Sequence, residues 1–232
     1  MVSGGFQKNS LIDYPGKISC VLFLSGCNFE CPYCHNPDLV KGRLPSPNFF
    51  HEKAVYGFLE RRKGFLDGVV ISGGEPTLQQ DLVSLCEKIK KMGYQIKLDT
   101  NGSRPRVIKK LIDEGLIDYI AMDIKADPLR YLPSIKKNYN PTKILSSIQI
   151  IMESALAYEF RTTCVKPIVD KQVIENIART IEGAMLYVLQ DFNNSRILHP
   201  EFFEGIEARY DKNELLELKS IANPWVRKCE VR

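Results

Sequence analysis

Apolar positions recur along the chain with two alternating periods. Short runs rich in β-branched and aromatic residues predict strands over residues 17–24, 68–72, 94–99, 118–124, 158–165 and 184–189. Between them, apolar residues three or four apart predict helices over 51–63, 79–92, 105–114, 142–154 and 171–183. A further helix is expected over 211–221 and a last strand over 225–231. Strands alternating with helices build βαβ units around a parallel sheet. Six such units predict an α/β fold, a partial (βα)6 barrel with a mostly parallel sheet, because full closure takes eight. A flat doubly wound sheet is the alternative. No linker and no repeat beyond the alternation divides the chain, so residues 1–232 are expected to form a single domain.

Three connections are long and irregular: 28–50, 127–141 and 191–210. Each follows a predicted strand, which puts all three at the carboxyl ends of the strands, where α/β proteins usually place their chemistry. At 44% hydrophobic and 26% charged residues the chain can bury a sizeable core. Its 32 basic and 28 acidic side chains leave a net charge of +4, and the basic pairs are spread over helical stretches. That spacing suits solvated helix faces rather than a nucleic-acid footprint. The longest strictly apolar run, 184–189, is six residues, against the ~20 a membrane helix needs. Residues 1–13 lack the features of a signal peptide. A cytoplasmic protein with no nucleic-acid or membrane partner is expected.

The seven cysteines change the picture more. Cys27, Cys31 and Cys34 fall within eight residues, while Cys20, Cys86, Cys164 and Cys229 are scattered in apolar segments and read as small buried hydrophobes. Three thiolates on one loop, opening where a strand ends at Ser25-Gly26, can hold three corners of a metal centre. A zinc site would need a fourth ligand; His35 is available, but its adjacency to Cys34 is awkward for tetrahedral geometry. An iron–sulfur cube matches better, since three thiolates leave one iron open, the mark of a catalytic metal. His51 reads as a helix start and His199 as a loop residue, neither a ligand.

The Cys-x3-Cys-x2-Cys spacing with Tyr33 before the last cysteine resembles the radical S-adenosylmethionine enzymes. The longer run Gly26, Cys27, Cys31, Tyr33, Cys34, His35, Asn36, Pro37 and Asp38 is similar to the enzymes that install a glycyl radical on a partner. The entry Asp13-Tyr14-Pro15-Gly16 and the whole stretch 6–40 look most like the anaerobic ribonucleoside-triphosphate reductase activating proteins. The resemblance implies one [4Fe-4S] cluster on Cys27, Cys31 and Cys34, with S-adenosylmethionine chelating the open iron. It also implies reductive cleavage to a 5′-deoxyadenosyl radical that takes a hydrogen atom from a glycine. The cofactors carry that chemistry, so no side-chain acid or base is nominated. A flavodoxin- or ferredoxin-type electron donor is implied as a second partner, and the loops 127–141 and 191–210 are the expected surface for the glycyl-radical enzyme.

The same resemblance assigns a nucleotide site. Ser72-Gly73-Gly74-Glu75-Pro76 closes the second predicted strand; a tight turn would explain the glycines, but the resemblance gives Gly73, Gly74 and Glu75 contact with the methionine amino group. Asp123 and Lys125, two apart on a strand, point to one face. With Asp99 they are expected to line the cofactor's carboxylate and ribose. Tyr33, His35, Asn36, Arg161 and Gln190 are further expected contacts. A monovalent cation on Asp99, Thr100, Ala121 and Asp123 is also implied, bridging acidic groups that would otherwise repel. Two alternatives stay open: a radical enzyme acting on a small molecule, similar to the deazaguanine synthases, and a zinc-stabilised interaction module without catalysis.

Overall fold

The computed structural model describes residues 3–42, 52–193 and 195–232. Eight strands form one sheet in sequence order: β1 (Ser3–Ser10), β2 (Ser19–Leu24), β3 (Gly68–Gly73), β4 (Gln95–Thr100), β5 (Tyr119–Asp123), β6 (Ala157–Cys164), β7 (Tyr187–Asp191) and β8 (Cys229–Val231). β1 pairs antiparallel with β2, and every later pairing is parallel. The helices are α1 (Pro37–Val40), α2 (Glu52–Arg61), α3 (Leu82–Lys91), α4 (Pro105–Asp113), α5 (Pro141–Glu153), α6 (Lys171–Thr180) and α7 (Lys212–Ala222). The sheet does not close on itself among the described residues. The expected α/β partial barrel is therefore what the chain forms.

Local sequence explains the element ends. Asp170 accepts a hydrogen bond from the Val173 amide at the start of α6, Asn140 does the same for Thr142 before α5, and Asp211 and Glu214 form a reciprocal capping box on α7. Strand alternation divides the apolar residues between two layers. Leu22, Leu24, Val69, Ile71, Ile96, Leu98, Ile120 and Met122 pack outward against the helices in the main core. The concave face carries a much smaller apolar cluster of Tyr14, Val21, Val70, Tyr119 and Ala121 near the strand starts. Above it the inner positions turn polar: Ser72, Asp99, Asp123 and Arg161.

Several boundaries differ from the sequence expectation. β1 was not expected: Ser-Gly-Gly-Phe-Gln-Lys-Asn-Ser has a single large apolar residue and forms an edge strand by backbone pairing to β2. The segment 79–92 begins its helix only at Leu82, after a short 3-10 turn at Pro76–Leu78. A second 3-10 turn, Pro200–Phe203, lies inside the connection expected to be irregular. The last strand is shorter than 225–231. His51 and part of the connection 28–50 lie outside the described residues. Among those described, no helix is long and apolar enough to cross a membrane.

The three long connections meet at the carboxyl ends of the strands. The Glu30 amide donates to the Ile135 carbonyl at 2.9 Å and the His199 amide to the Pro32 carbonyl at 3.0 Å. The Phe29 ring sits edge-on to Tyr131, which stacks on Tyr139 at 4.4 Å between centroids.

Candidate active site

The site begins with a backbone clamp. β2 delivers the chain into the cysteine loop at Ser25-Gly26, and the exit of β3 grips that point. The Gly74 amide donates to the Leu24 carbonyl and the Glu75 amide to the Gly26 carbonyl, both at 2.8 Å. The Gln79 side-chain amide donates to the Ser25 carbonyl at 2.8 Å. This approach is why two glycines stand there. A Cβ on Gly73 would lie 2.3 Å from the Leu24 amide nitrogen and carbonyl oxygen, and one on Gly74 would lie 2.2 Å from the Gly26 carbonyl oxygen.

Above the clamp, a cavity of about 270 Å³ opens between the cysteine loop and the strand ends. Cys27, Cys31 and Cys34 all line it. So do Tyr33, His35, Asn36, Gly73, Gly74, Asp99, Thr100, Asp123, Lys125, Arg161 and Gln190. One concavity thus gathers residues from five strands and a loop. Phe29, Val40, Ser72, Asn101 and Thr163 complete the wall without having been nominated from sequence. Two nominated residues are absent from it: Ala121, fully buried inside the barrel, and Glu75.

The thiols are poised for a cationic group. Burial pushes Cys27 up to about 11 and Cys31 up to about 12, while the Lys125 ammonium draws both down. Such thiols ionise readily only against a metal, which deprotonates its ligands outright. Cys27 Sγ accepts from the Phe29 amide at 3.4 Å, and Asn101 Nδ2 approaches it at 3.9 Å. Among the described residues, no three His, Cys, Asp or Glu side chains converge on a single ion. Three sulfurs on one loop can hold three corners of a multi-iron cluster, one sulfur to each. His35, the fourth ligand of the zinc alternative, sets its ring 5.9 Å from that of Phe192.

Opposite the sulfurs lies a chain of buried charges. Arg161 Nε donates to Asp123 at 2.7 Å, Lys125 Nζ donates to the other oxygen of Asp123 at 2.9 Å, and Arg161 Nη1 reaches Asp99 at 3.4 Å. Burial alone would raise the Asp123 pKa, but Arg161 and Lys125 hold it well below the usual carboxylate range. Burial opposes the charge on Lys125 and Arg161 too, and the facing carboxylates more than restore it. All three groups are ionised at neutral pH. Around the residues implied for a monovalent cation, Arg161 bridges Asp99 and Asp123, and Lys97 Nζ caps Asp99 from the barrel interior. Lys97, almost wholly buried, escaped sequence reasoning. Its signal was there: Lys97 and Asp99 are two apart on β4, the same pattern as Asp123 and Lys125.

Glu75, implied by the resemblance as a contact of the cofactor's amino group, is buried and turns its carboxylate towards the neighbouring turn. It accepts from the Thr77 amide at 3.0 Å, the Thr100 hydroxyl at 2.8 Å and the Asn101 amide at 2.7 Å, and from the Thr77 hydroxyl. Four donors converge because an Asp-Thr-Asn-Gly turn follows β4 beside the Gly-Gly-Glu turn after β3. Glu75 therefore positions Thr100 and Asn101, which do line the cavity. Tyr33 is likewise a support, donating its hydroxyl to the Lys125 carbonyl at 3.2 Å.

Comparison with known proteins agrees with this geometry. The family model described as the radical SAM superfamily matches residues 21–181. A protein of Methanocaldococcus jannaschii, provisionally named a glycyl-radical enzyme activating enzyme, is 37% identical over 98% of this chain and 94% of its own length. The pyruvate formate-lyase-activating enzyme of Streptococcus mutans is 33% identical over 49% of this chain and 46% of its own. Among solved structures, TYW1 with a lysine–pyruvate adduct bound superposes with a TM-score of 0.59 at 19% identity, covering 89% of this chain and 72% of that one. Streptococcus suis SuiB bound to precursor peptide SuiA gives 0.62 at 15% identity, covering 91% and 48%. These two likenesses concern the fold. From the cysteine cavity, the family match and the full-length relative, the chain belongs to the radical S-adenosylmethionine superfamily, in the family of glycyl-radical enzyme activating enzymes.

Proposed function

We propose that this protein cleaves S-adenosylmethionine reductively and installs a glycyl radical on an anaerobic ribonucleoside-triphosphate reductase. The observation that carries the reading is the convergence of Cys27, Cys31 and Cys34 with Asp99, Asp123, Lys125 and Arg161 on one cavity. The three sulfurs fit a single [4Fe-4S] cluster, each on a different iron. Cys27, Cys31 and Cys34 would hold the cluster, and with S-adenosylmethionine bound it would supply one electron and a sulfonium leaving group for removal of a glycine hydrogen atom.

The chain's own work is binding and exclusion. Gly73 and Gly74 let the nucleotide's amino-acid end approach the backbone of the clamp. Arg161 and Lys125 offer donors to its carboxylate, and Arg suits such paired recognition. Asp99 and Asp123 accept from ribose hydroxyls. Tyr33, His35, Asn36 and Gln190 complete the wall, and burial keeps water from the reactive centre. A monovalent cation on Asp99, Asp123 and the carbonyls of Thr100 and Ala121 belongs to the same reading, beside the Arg161 bridge between the two carboxylates.

The connections 127–141 and 191–210 form the surface for the glycyl-radical enzyme. Both flank the cavity mouth, and each exposes apolar side chains: Leu129 is 63% exposed and Ile206 44%. The reductase is favoured as target by the likeness of residues 6–40 to its activating proteins. Pyruvate formate-lyase is the second reading, favoured by the Streptococcus mutans relative. A flavodoxin- or ferredoxin-type protein supplies the electron. The reducing cytoplasm is the compartment that suits seven free thiols.

The test is an anaerobic incubation of the iron-loaded protein with S-adenosylmethionine, a reductant and either candidate partner. A glycine-centred doublet in the electron paramagnetic resonance spectrum of the reductase is expected, and none with Cys31→Ala. A doublet on pyruvate formate-lyase alone selects the second reading. Turnover of a small molecule with neither partner radicalised would overturn both.

A further inference from the structure

A second cavity, of about 410 Å³, lies on the other side of Phe29 from the first. Phe29 is the one residue that lines both. The second cavity's charge is one-sided: Arg104, Lys136, Lys137 and Lys143 line it, with no carboxylate. Among the described residues none of the four has an acidic partner. On α4, by contrast, Lys109 pairs with Asp113 and Lys110 with Glu114. Arg104 and Asn140 on its wall precede α4 and α5, so two helix N-termini add to the positive potential.

We propose that this face docks an acidic electron-transfer protein and passes its electron to the cluster through the Asn28 segment, a proposal that rests on the reading of the cysteine cavity given above. The connection is short and rigid. Asn28 lines the basic cavity and directly follows Cys27. Its side-chain amide donates to the Ser103 hydroxyl at 2.9 Å, and its Oδ1 accepts from Asn101 Nδ2 at 3.0 Å. That same Asn101 nitrogen lies 3.9 Å from Cys27 Sγ. A hydrogen-bonded path thus runs from the basic cavity to a cluster sulfur through Asn101, along the wall of the substrate cavity. One electron leaves the reduced donor, which rises one oxidation level, and enters the oxidised cluster, which falls one; no proton or bond changes hands. Lys136, Lys137 and Tyr139 on the basic cavity belong to the connection 127–141, so the donor and the glycyl-radical enzyme share that connection and dock in turn. Charge complementarity selects the occupant: four unpaired cations beside a redox centre attract a partner with an acidic rim, and such encounters are steered by charge and weakened by salt.

The test compares the iron-loaded protein with a Lys136→Glu, Lys137→Glu, Lys143→Glu variant, using an acidic flavodoxin as probe. A Lys212→Glu, Arg227→Glu variant, altered on another face, is the control. Two quantities are read: the Kd for oxidised flavodoxin at low and high salt, and the rate at which the visible absorbance of the cluster bleaches. The expected result is a loss of about tenfold or more in both affinity and flavodoxin-driven bleaching for the triple variant at low salt, shrinking as salt rises. Bleaching by photoreduced deazaflavin should be equal in all three proteins. Equal affinity and equal flavodoxin-driven bleaching overturn the docking surface while leaving the cavity reading intact. So does a wild-type protein that does not bind flavodoxin at all. If the triple variant instead loses radical yield on the glycyl-radical partner under deazaflavin reduction, with flavodoxin binding unchanged, the face belongs to that partner. A wild-type protein that assembles no cluster sinks the underlying reading.

Discussion

Glu75 ties the turn after β3 to the turn after β4. A carboxylate beside a glycine pair at a strand end invites a ligand, yet all its hydrogen-bonding capacity is spent inside the protein. Its two oxygens are unequal. One accepts from the Thr77 amide and from the Thr77 and Thr100 hydroxyls, the other from the Asn101 amide, so each faces a backbone donor that cannot rotate. In Glu75→Gln an NH2 group must face a donor, so the protein should lose about 1–3 kcal/mol, read as a lower thermal midpoint of the metal-free protein. Burial raises the Glu75 pKa in the folded state. Its contribution to stability is therefore greatest below the unfolded value of about 4.3 and declines as pH climbs through the folded one. The gap between wild type and Glu75→Gln should narrow from acid towards neutral pH; a gap that widens would mean the carboxylate is ionised without cost. By contrast, the cysteines, Asp123 and Lys125 were legible as they stood, because spacing along a loop or strand already fixes which side chains meet. Glu75, Asn28 and Asn101 were not, since their partners lie some 25 or 70 positions away.

At the level of elements, the parallel strands and their helices were legible from periodicity, because each buries a regular apolar face. What periodicity does not encode is pairing that rests on backbone alone. β1 has almost no apolar alternation and exists because β2 offers an open edge. The two 3-10 turns each begin at a proline and are too short to show an apolar period. The junction between β3 and the cysteine loop is of the same kind. Its glycines matter through a contact 48 residues away, between Gly74 and Gly26. Gly74→Ala must push the Gly26 carbonyl outward, because a Cβ at 2.2 Å from that oxygen cannot stay. The shift lands one residue before Cys27. The expected outcome is a folded protein, with far-ultraviolet circular dichroism unchanged, that takes up less iron and sulfide on anaerobic reconstitution. Full cluster content in Gly74→Ala would show that the clamp does not govern the cysteine loop.

For the whole molecule, the open barrel separates stability from chemistry. The helix-facing core holds the sheet, so the concave face is free to carry ionised groups at the strand ends. Those groups sit below a mouth framed by the connections 127–141 and 191–210, and a glycine in a large partner must reach them from outside. Leu129 and Ile206 are exposed on those connections and contribute nothing to the core. Substituting both with Asp should leave folding intact, since neither belongs to a core cluster. It should weaken the complex, because an apolar contact desolvated at an interface becomes a buried charge. The expected result is a several-fold fall in glycyl radical formed at low partner concentration, recovering as the partner is raised. Partner-independent cleavage of S-adenosylmethionine, read as 5′-deoxyadenosine, should change little. That pairing of readouts separates docking from chemistry: a uniform loss of both would place the two loops in the nucleotide site, and no loss of either would move the partner's surface elsewhere on the barrel.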